Sequence, residues 1–191
     1  MSNIFPFRST LIALLVLNCL DSVTLSQETL PKSPLPLKAA LLLTPEFCTS
    51  RIAHGGQDNP KIGIEVGKVA CTEFDPTLKE DFAALTTISD PKDAGDAQLI
   101  LIPRFVDVAA TTGLTAFSNN QLTLFLEWTV KSSSGQTIWL GTVQGSATHK
   151  AGTLFSYKKN FSLLVNETVK DVAFQSAQEI SSAPELRKYT P

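Results

Sequence analysis

The sequence has few of the residues that enzymes use for catalysis near neutral pH. Its 191 residues include two histidines, His54 and His149, and three cysteines, Cys19, Cys48 and Cys71. It has no C-x-x-C, H-x-x-H or H-E-x-x-H motif, so no metal site is predicted. No glycine-rich loop follows a predicted strand and opens a helix, so no phosphate site is predicted either. We therefore expect neither a metal nor another cofactor.

An excess of charge of one sign is also missing. The chain has 16 basic and 18 acidic residues, which give a net charge of −2, and its calculated pI is near 5.7. A nucleic-acid-binding protein needs a strongly basic face, so this class is excluded. No mature segment has the roughly 20 consecutive apolar residues that a membrane-spanning helix requires.

Residues 1–22 have the pattern of a signal peptide. The apolar run Leu11–Leu17 has the length of a signal-peptide core and is too short to span a bilayer. Cys19 follows this run, where bacterial lipoproteins carry the cysteine that accepts the lipid, although Asn18 replaces the small residue that normally precedes it. Lipid attachment at Cys19, ordinary cleavage after Ser22 or Ser26, and a buried N-terminal helix are the alternatives. We favour export to the bacterial periplasm or to the periplasmic face of the outer membrane.

A proline-rich linker is predicted over residues 23–37, followed by a single domain over residues 38–191. The linker contains Pro31, Pro34 and Pro36. Such a composition favours an extended, semi-rigid chain. We expect it to separate the domain from the membrane or from the cleavage point.

Cys48 and Cys71 are the cysteines of the predicted domain. Exported proteins fold under oxidising conditions, so this pair favours a disulfide over two separate buried thiols. A rival hypothesis is a small hydrolase in which Cys48 works with His54 or His149. No local signature supports the hydrolase, and the disulfide is the prediction.

The stretch from Gln121 to His149 predicts a long β-hairpin around Ser132–Gly135. Pairing Lys131 with Gln136 would place Trp128 opposite Trp139 on one apolar face. The long helix predicted from Asn160 to Ser182 has an apolar stripe. We expect this helix to cover the face that carries both tryptophans.

The other elements complete an α/β (α+β) fold. Strands are predicted over residues 38–43, 61–70 and 97–109, with a bulge or an outward-facing edge at Pro103. A short helix is predicted to start at Asp75 and to stop by Ser89. The fold class is thus a single domain with a mixed, largely antiparallel sheet, packed by a short helix and the long C-terminal helix.

Two predicted loops contain apolar residues outside regular elements. Loops often carry binding sites, but apolar loop residues also close over a core. Both interpretations remain open. The residues are Leu114 and Phe117 in the first loop, and Leu154, Phe155 and Tyr157 in the second.

Several segments carry a resemblance to a known class of proteins. Asp96-Ala97 leads into an apolar strand, and SSSGQTIWLGTVQG places Trp139 after a hairpin turn. The blocks PRFVDV, LEWTVK, TVQGSA and APELRK are similar to segments of uncharacterised exported bacterial proteins. The layout of residues 38–183 resembles small bacterial cell-envelope accessory lipoproteins. This resemblance implies a non-catalytic accessory protein that binds another envelope component, and a family without a known activity.

The export prediction is tested by the intact mass of the protein from its native host. We expect a chain that starts after the apolar run Leu11–Leu17. A diacylated Cys19 would identify a lipoprotein, and a free N-terminus beyond it would identify ordinary cleavage. A mature chain that starts at Met1 would contradict export.

Overall fold

The computed structural model of the chain describes residues 33–53, 63–111, 119–150 and 157–189. These residues belong to one unit, Lys32–Pro191. Short 3₁₀ turns lie at Lys79–Asp81 and Pro91–Ala94. The strands and helices are β1 (Leu35–Leu42), α1 (Pro45–Cys48), β2 (Arg51–Ala53), β3 (Gly63–Glu65), α2 (Gly67–Leu78), β4 (Phe82–Ile88), β5 (Leu99–Thr111), β6 (Asn119–Ser132), β7 (Thr137–Lys150), α3 (Tyr157–Ser182) and α4 (Pro184–Lys188).

The main sheet has five strands in the order β4-β1-β5-β6-β7. β1 runs parallel to both β4 and β5, whereas β6 runs antiparallel to both β5 and β7. β2 and β3 form a separate antiparallel pair. The predicted mixed sheet with a long hairpin is therefore confirmed.

Side chains of β6 alternate between the helix-covered face of the main sheet and its other face. Residues facing the helices are fully buried, and those between them are only half-buried, as expected for a strand with one covered face. The predicted packing of the C-terminal helix against the face that carries Trp128 is confirmed. The buried β6 residues of this face are Leu122, Leu124, Leu126, Trp128 and Val130.

Trp128 connects the sheet to both long helices. Its side chain has 0% exposure, and its Nε1–H donates a hydrogen bond of 2.8 Å to Ser176 Oγ on α3. The Trp128 ring lies 5.5 Å from the ring of Phe74 on α2, measured between centroids. Because the indole N–H has a partner, the whole side chain is buried without leaving a donor unsatisfied.

α3 approaches β7 closely because β7 has a glycine at the contact. A Cβ atom on Gly145 would lie 2.3 Å from the backbone nitrogen of Val172. Gly141 leaves space for the ring of Trp139 in the same way, since a Cβ atom on Gly141 would lie 2.3 Å from the indole. Both glycines lie on the helix-covered face, and each leaves space for a neighbouring group.

The predicted pairing of Trp128 with Trp139 is wrong. Trp128 lies opposite Gly141, and Trp139 lies opposite Val130. Lys131 pairs with Thr137 and not with Gln136, which shifts the register by one residue, and a bulge at Ile138 of β7 shifts it by one more. The displacement moves Trp128 from Trp139 to Gly141, two positions along β7, so the predicted faces are preserved.

The prediction for residues 61–89 is wrong in two places. The strand β3 ends at Glu65, and α2 already starts at Gly67. The residue before the helix is Val66, whose side chain makes no capping hydrogen bond, so the sequence carries no signal for this helix start. Asp75 and Pro76 lie inside α2, and residues 82–88, predicted as helix, form β4. β4 pairs with β1, and this non-local pairing overrides the helical spacing of its apolar residues.

One strand boundary and the position of one bulge also differ from the sequence prediction. β1 starts at Leu35, so residues 35–37 of the predicted linker belong to the sheet. The bulge in β5 lies between Phe105 and Asp107. Pro103 lies two residues beyond Leu101, the last residue of β5 that pairs with β1, which agrees with the outward-facing edge.

We expect Gly145→Ala to lower the free energy of unfolding by about 1–3 kcal/mol, because α3 must move to admit the methyl group. Ser146→Ala is the matched control, since the neighbouring side chain is exposed, and its effect should stay within about 0.5 kcal/mol. Denaturant midpoints at constant m-value measure both. Equal effects would contradict the contact between Gly145 and Val172.

Candidate functional site

Most residues predicted to form a site lie outside the described part of the chain. Tyr157 is the first residue of α3. The remaining loop candidates stay predictions. Lipidation of Cys19 and a role for His54 in a hydrolase site also stay untested hypotheses. The residues outside the described ranges are Cys19, His54, Leu114, Phe117, Leu154 and Phe155.

The residues that flank the two predicted loops meet at one end of the sheet. Thr111 of β5 pairs with Gln121 of β6, and Asn119 of β6 pairs with Lys150 of β7. Two contacts join α3 to this end. His149 Nε2 lies 2.6 Å from Glu167 Oε2, and the Asn160 side chain donates to the Lys150 carbonyl at 3.5 Å. The segments 112–118 and 151–156 therefore leave from adjacent strand ends.

Cys48 and Cys71 form a disulfide, as predicted. Their Cα atoms are 5.6 Å apart, and the bond joins α1 to α2. Neither sulfur is a thiolate in this state, and only a thiolate acts as a nucleophile. The cysteine that the rival hydrolase hypothesis requires is therefore unavailable for attack while the bond is intact.

A cleft of about 330 Å³ lies beside the disulfide. Arg51 of β2 and Glu65 of β3 are cross-strand partners and form an ion pair at its wall. The Ser50 hydroxyl is buried and makes no hydrogen bond within the described residues. The described lining consists of Cys48, Thr49, Ser50, Arg51, Glu65 and Lys68.

A second groove of about 260 Å³ separates α2 from α3. Lys68 and Lys170 contribute positive charge to it, and Glu73 contributes negative charge. Among the described residues that line the cleft and the groove, no titratable side chains form a catalytic arrangement. Across the described ranges, no cluster of three or more His, Cys, Asp or Glu side chains is placed to hold a metal ion.

The Asp96-Ala97 step that precedes β5 has a structural role. Asp96 forms an ion pair with Lys38 of β1, and Ala97 is buried in a small apolar cluster on the second face of the sheet. The hydrogen bond and the charge of Lys38 lower the pKa of Asp96 below its ordinary value. This step therefore fastens the start of β5 to β1.

The outer edge of β7 is a feature that the sequence analysis missed. β7 ends the strand order, so its outward N–H and C=O groups pair with no other strand of the described chain. Ser146 N–H points outward and donates to Asp171 Oδ2 of α3 at 2.7 Å. The uncharged run from Thr137 to Thr148 was the available signal, but sequence alone does not place a strand at an edge.

The described chain thus defines a class of fold: an α+β domain with a mixed five-stranded sheet and two long helices on one face. No family of proteins matches the sequence, and no curated protein is detectably similar to it. Several solved structures are similar to the chain.

One is a Xanthomonas campestris protein of the DUF330 family, with a TM-score of 0.50, 10% identity, and coverage of 81% of this chain and 93% of that one. A minor lipoprotein from Acinetobacter baumannii has a TM-score of 0.49, 14% identity, and coverage of 78% and 93%. The PelC dodecamer from Paraburkholderia phytofirmans has a TM-score of 0.38, 15% identity, and coverage of 76% and 90%.

At identities of 10–15%, the similarity to these solved structures concerns the fold and does not indicate an activity. The fold shared with the Xanthomonas protein agrees with the fold class predicted from the sequence. Among the described helices, none combines the length and the apolar character needed to cross a membrane.

We expect removal of the disulfide by Cys48→Ala with Cys71→Ala to lower the free energy of unfolding by about 3 kcal/mol, because the bond closes a loop in the unfolded chain. The cysteines are 23 positions apart. Reductant should shift the denaturant midpoint of the natural chain and leave that of the double variant unchanged. Two free thiols in the exported native protein would contradict the bond.

Proposed function

We propose that the chain is an exported accessory protein of the bacterial cell envelope that acts by binding another envelope component. The disulfide between Cys48 and Cys71 carries this proposal. Structural disulfides persist in oxidising compartments such as the periplasm. The bond also removes the two domain cysteines from nucleophilic chemistry.

The N-terminal sequence supports the location. The apolar run Leu11–Leu17 followed by Cys19 fits an export signal, with lipid attachment at Cys19 as one form of anchoring. The periplasm and the periplasmic face of the outer membrane both fit this signal. The fold shared with the Xanthomonas protein is compatible with the location and adds no activity.

The proposed contact surface is the end of the hairpin. Adjacent strand ends at Thr111, Asn119 and Lys150 lead into the two predicted loops. The apolar side chains proposed to contact the partner are Leu114, Phe117, Leu154, Phe155 and Tyr157. Aromatic side chains are common anchors of protein interfaces.

Capture from detergent-solubilised envelope, with the full chain as bait, tests the proposal. We expect a reproducible partner, identified by mass spectrometry after cross-linking. Phe117→Ser with Phe155→Ser should lose this partner, because it removes two apolar anchors. Phe174→Ser, which changes an exposed aromatic residue distant in sequence from both loops, is the control for a general loss of apolar surface.

Two results would contradict the proposal. The first is the absence of any envelope component above the level captured by an unrelated exported protein. The second is a mature chain that remains in the cytoplasm of its native host.

A further inference from the structure

The outer edge of β7 contains a short window of main-chain groups that pair with no other strand of the described chain. Residues two apart in an antiparallel strand direct their N–H and C=O groups to the same side. Since the Ser146 N–H points outward to Asp171, the same groups of Leu140, Thr142 and Gln144 also point outward. We call Leu140–Gln144 the β7 window.

Both ends of the β7 window are closed. At one end, the β7 bulge interrupts the regular pattern between Trp139 and Thr137. At the other end, the Asp171 carboxylate occupies the Ser146 N–H. The side chains of Leu140, Thr142 and Gln144 are exposed, and Leu140 reaches 61% exposure. An open edge of this kind accepts an additional strand.

Three acidic residues and one glutamine lie along one side of α3, and two of the acidic residues contact β7. Glu167, Asp171, Gln175 and Glu179 are spaced four residues apart and therefore share one side of the helix. Glu167 contacts His149, Asp171 contacts Ser146, and the Gln175 side chain donates to Asp171 at 3.4 Å. β7 itself has no charged residue from Thr137 to Thr148. We call these four α3 residues the acidic row.

We propose that the β7 window binds an extended segment of a partner protein, with basic side chains facing the acidic row, as a sixth strand of the main sheet. Main-chain hydrogen bonds to Leu140, Thr142 and Gln144 supply the attachment. Alternate side chains of the segment face α3, so the carboxylates select lysine or arginine there. This inference rests on the proposed binding function and names the chemistry of the partner.

Charge and size both argue against a second copy of this chain as the occupant. A symmetric pairing of two β7 strands would bring two acidic rows towards each other, and like charges repel. The β7 window is also short. A stable dimer buries on the order of 1,200 Å² or more, whereas a flexible segment needs only its own backbone and alternate side chains to be matched.

Binding of defined peptides to the full mature chain tests the proposal. The probe is an acetylated peptide about seven residues long that alternates lysine with valine, matched to the length of a strand. The control peptide alternates glutamate with valine. We expect the lysine peptide to bind at least about tenfold more tightly, to weaken with added salt, and to shift the amide resonances of Leu140, Thr142 and Gln144.

Two variants and one control separate the hydrogen-bonding and the charge contributions to peptide binding. Thr142→Pro removes an outward N–H, which an edge strand tolerates, and should weaken the lysine peptide about tenfold. Thr148→Pro is the matched control, because it also removes an outward N–H of β7 but lies outside the β7 window. It should leave binding of the lysine peptide unchanged. Glu179→Gln should weaken the lysine peptide and reduce its salt dependence, with no effect on the folded state.

Several results would overturn the proposal. They are no binding of the lysine peptide, equal binding of both peptides, resonance shifts elsewhere, or a concentration-dependent dimer that Thr142→Pro abolishes, which would make a second copy the occupant. If the full chain captures an envelope partner and Thr142→Pro captures it equally well, the edge proposal fails and the proposed function stands. If no envelope partner is captured at all, the proposed function fails instead.

Discussion

The contact of α3 with β7 at Gly145 is the constraint on which the rest of the structure depends. Because Gly145 has no side chain, the helix backbone at Val172 lies directly on the strand. This position brings Ser176 within hydrogen-bonding distance of Trp128 and lets the sheet bury its apolar face. It also brings Asp171 to the outer edge of β7. Core packing and the chemistry of the exposed edge therefore share one cause.

The disulfide contributes to a different part of the domain. It joins α1 to α2, whereas α2 packs against the core through Phe74 and against α3. The stacked rings of Phe47 and Phe105, 5.0 Å apart, connect α1 to β5. The segment between the first strand and the long helices is thus attached to the core by a covalent bond and by aromatic contacts.

The sequence predicts the hairpin and the last helix because both have strong local signals. Leu122 to Val130 alternate with period two, and the stripe of α3 repeats at helical spacing. The region from Gly67 to Ile88 lacks such signals. α2 begins without a capping side chain, and β4 becomes a strand because β1 pairs with it from a distant part of the chain. The acidic row was equally hidden, since its relation to β7 depends on tertiary packing at Gly145.

The position of β1 has a consequence for the order of folding. β1 lies between β4 and β5 although it precedes both in the chain, and Leu41 pairs with Thr87 on one side and Leu101 on the other. The hairpin β6–β7 forms from neighbouring residues, and such local contacts form rapidly. As the chain emerges during synthesis or transport, the apolar β1 segment appears well before either partner strand. Until β5 has followed it, the β1 segment exposes apolar surface that is prone to aggregate with other chains.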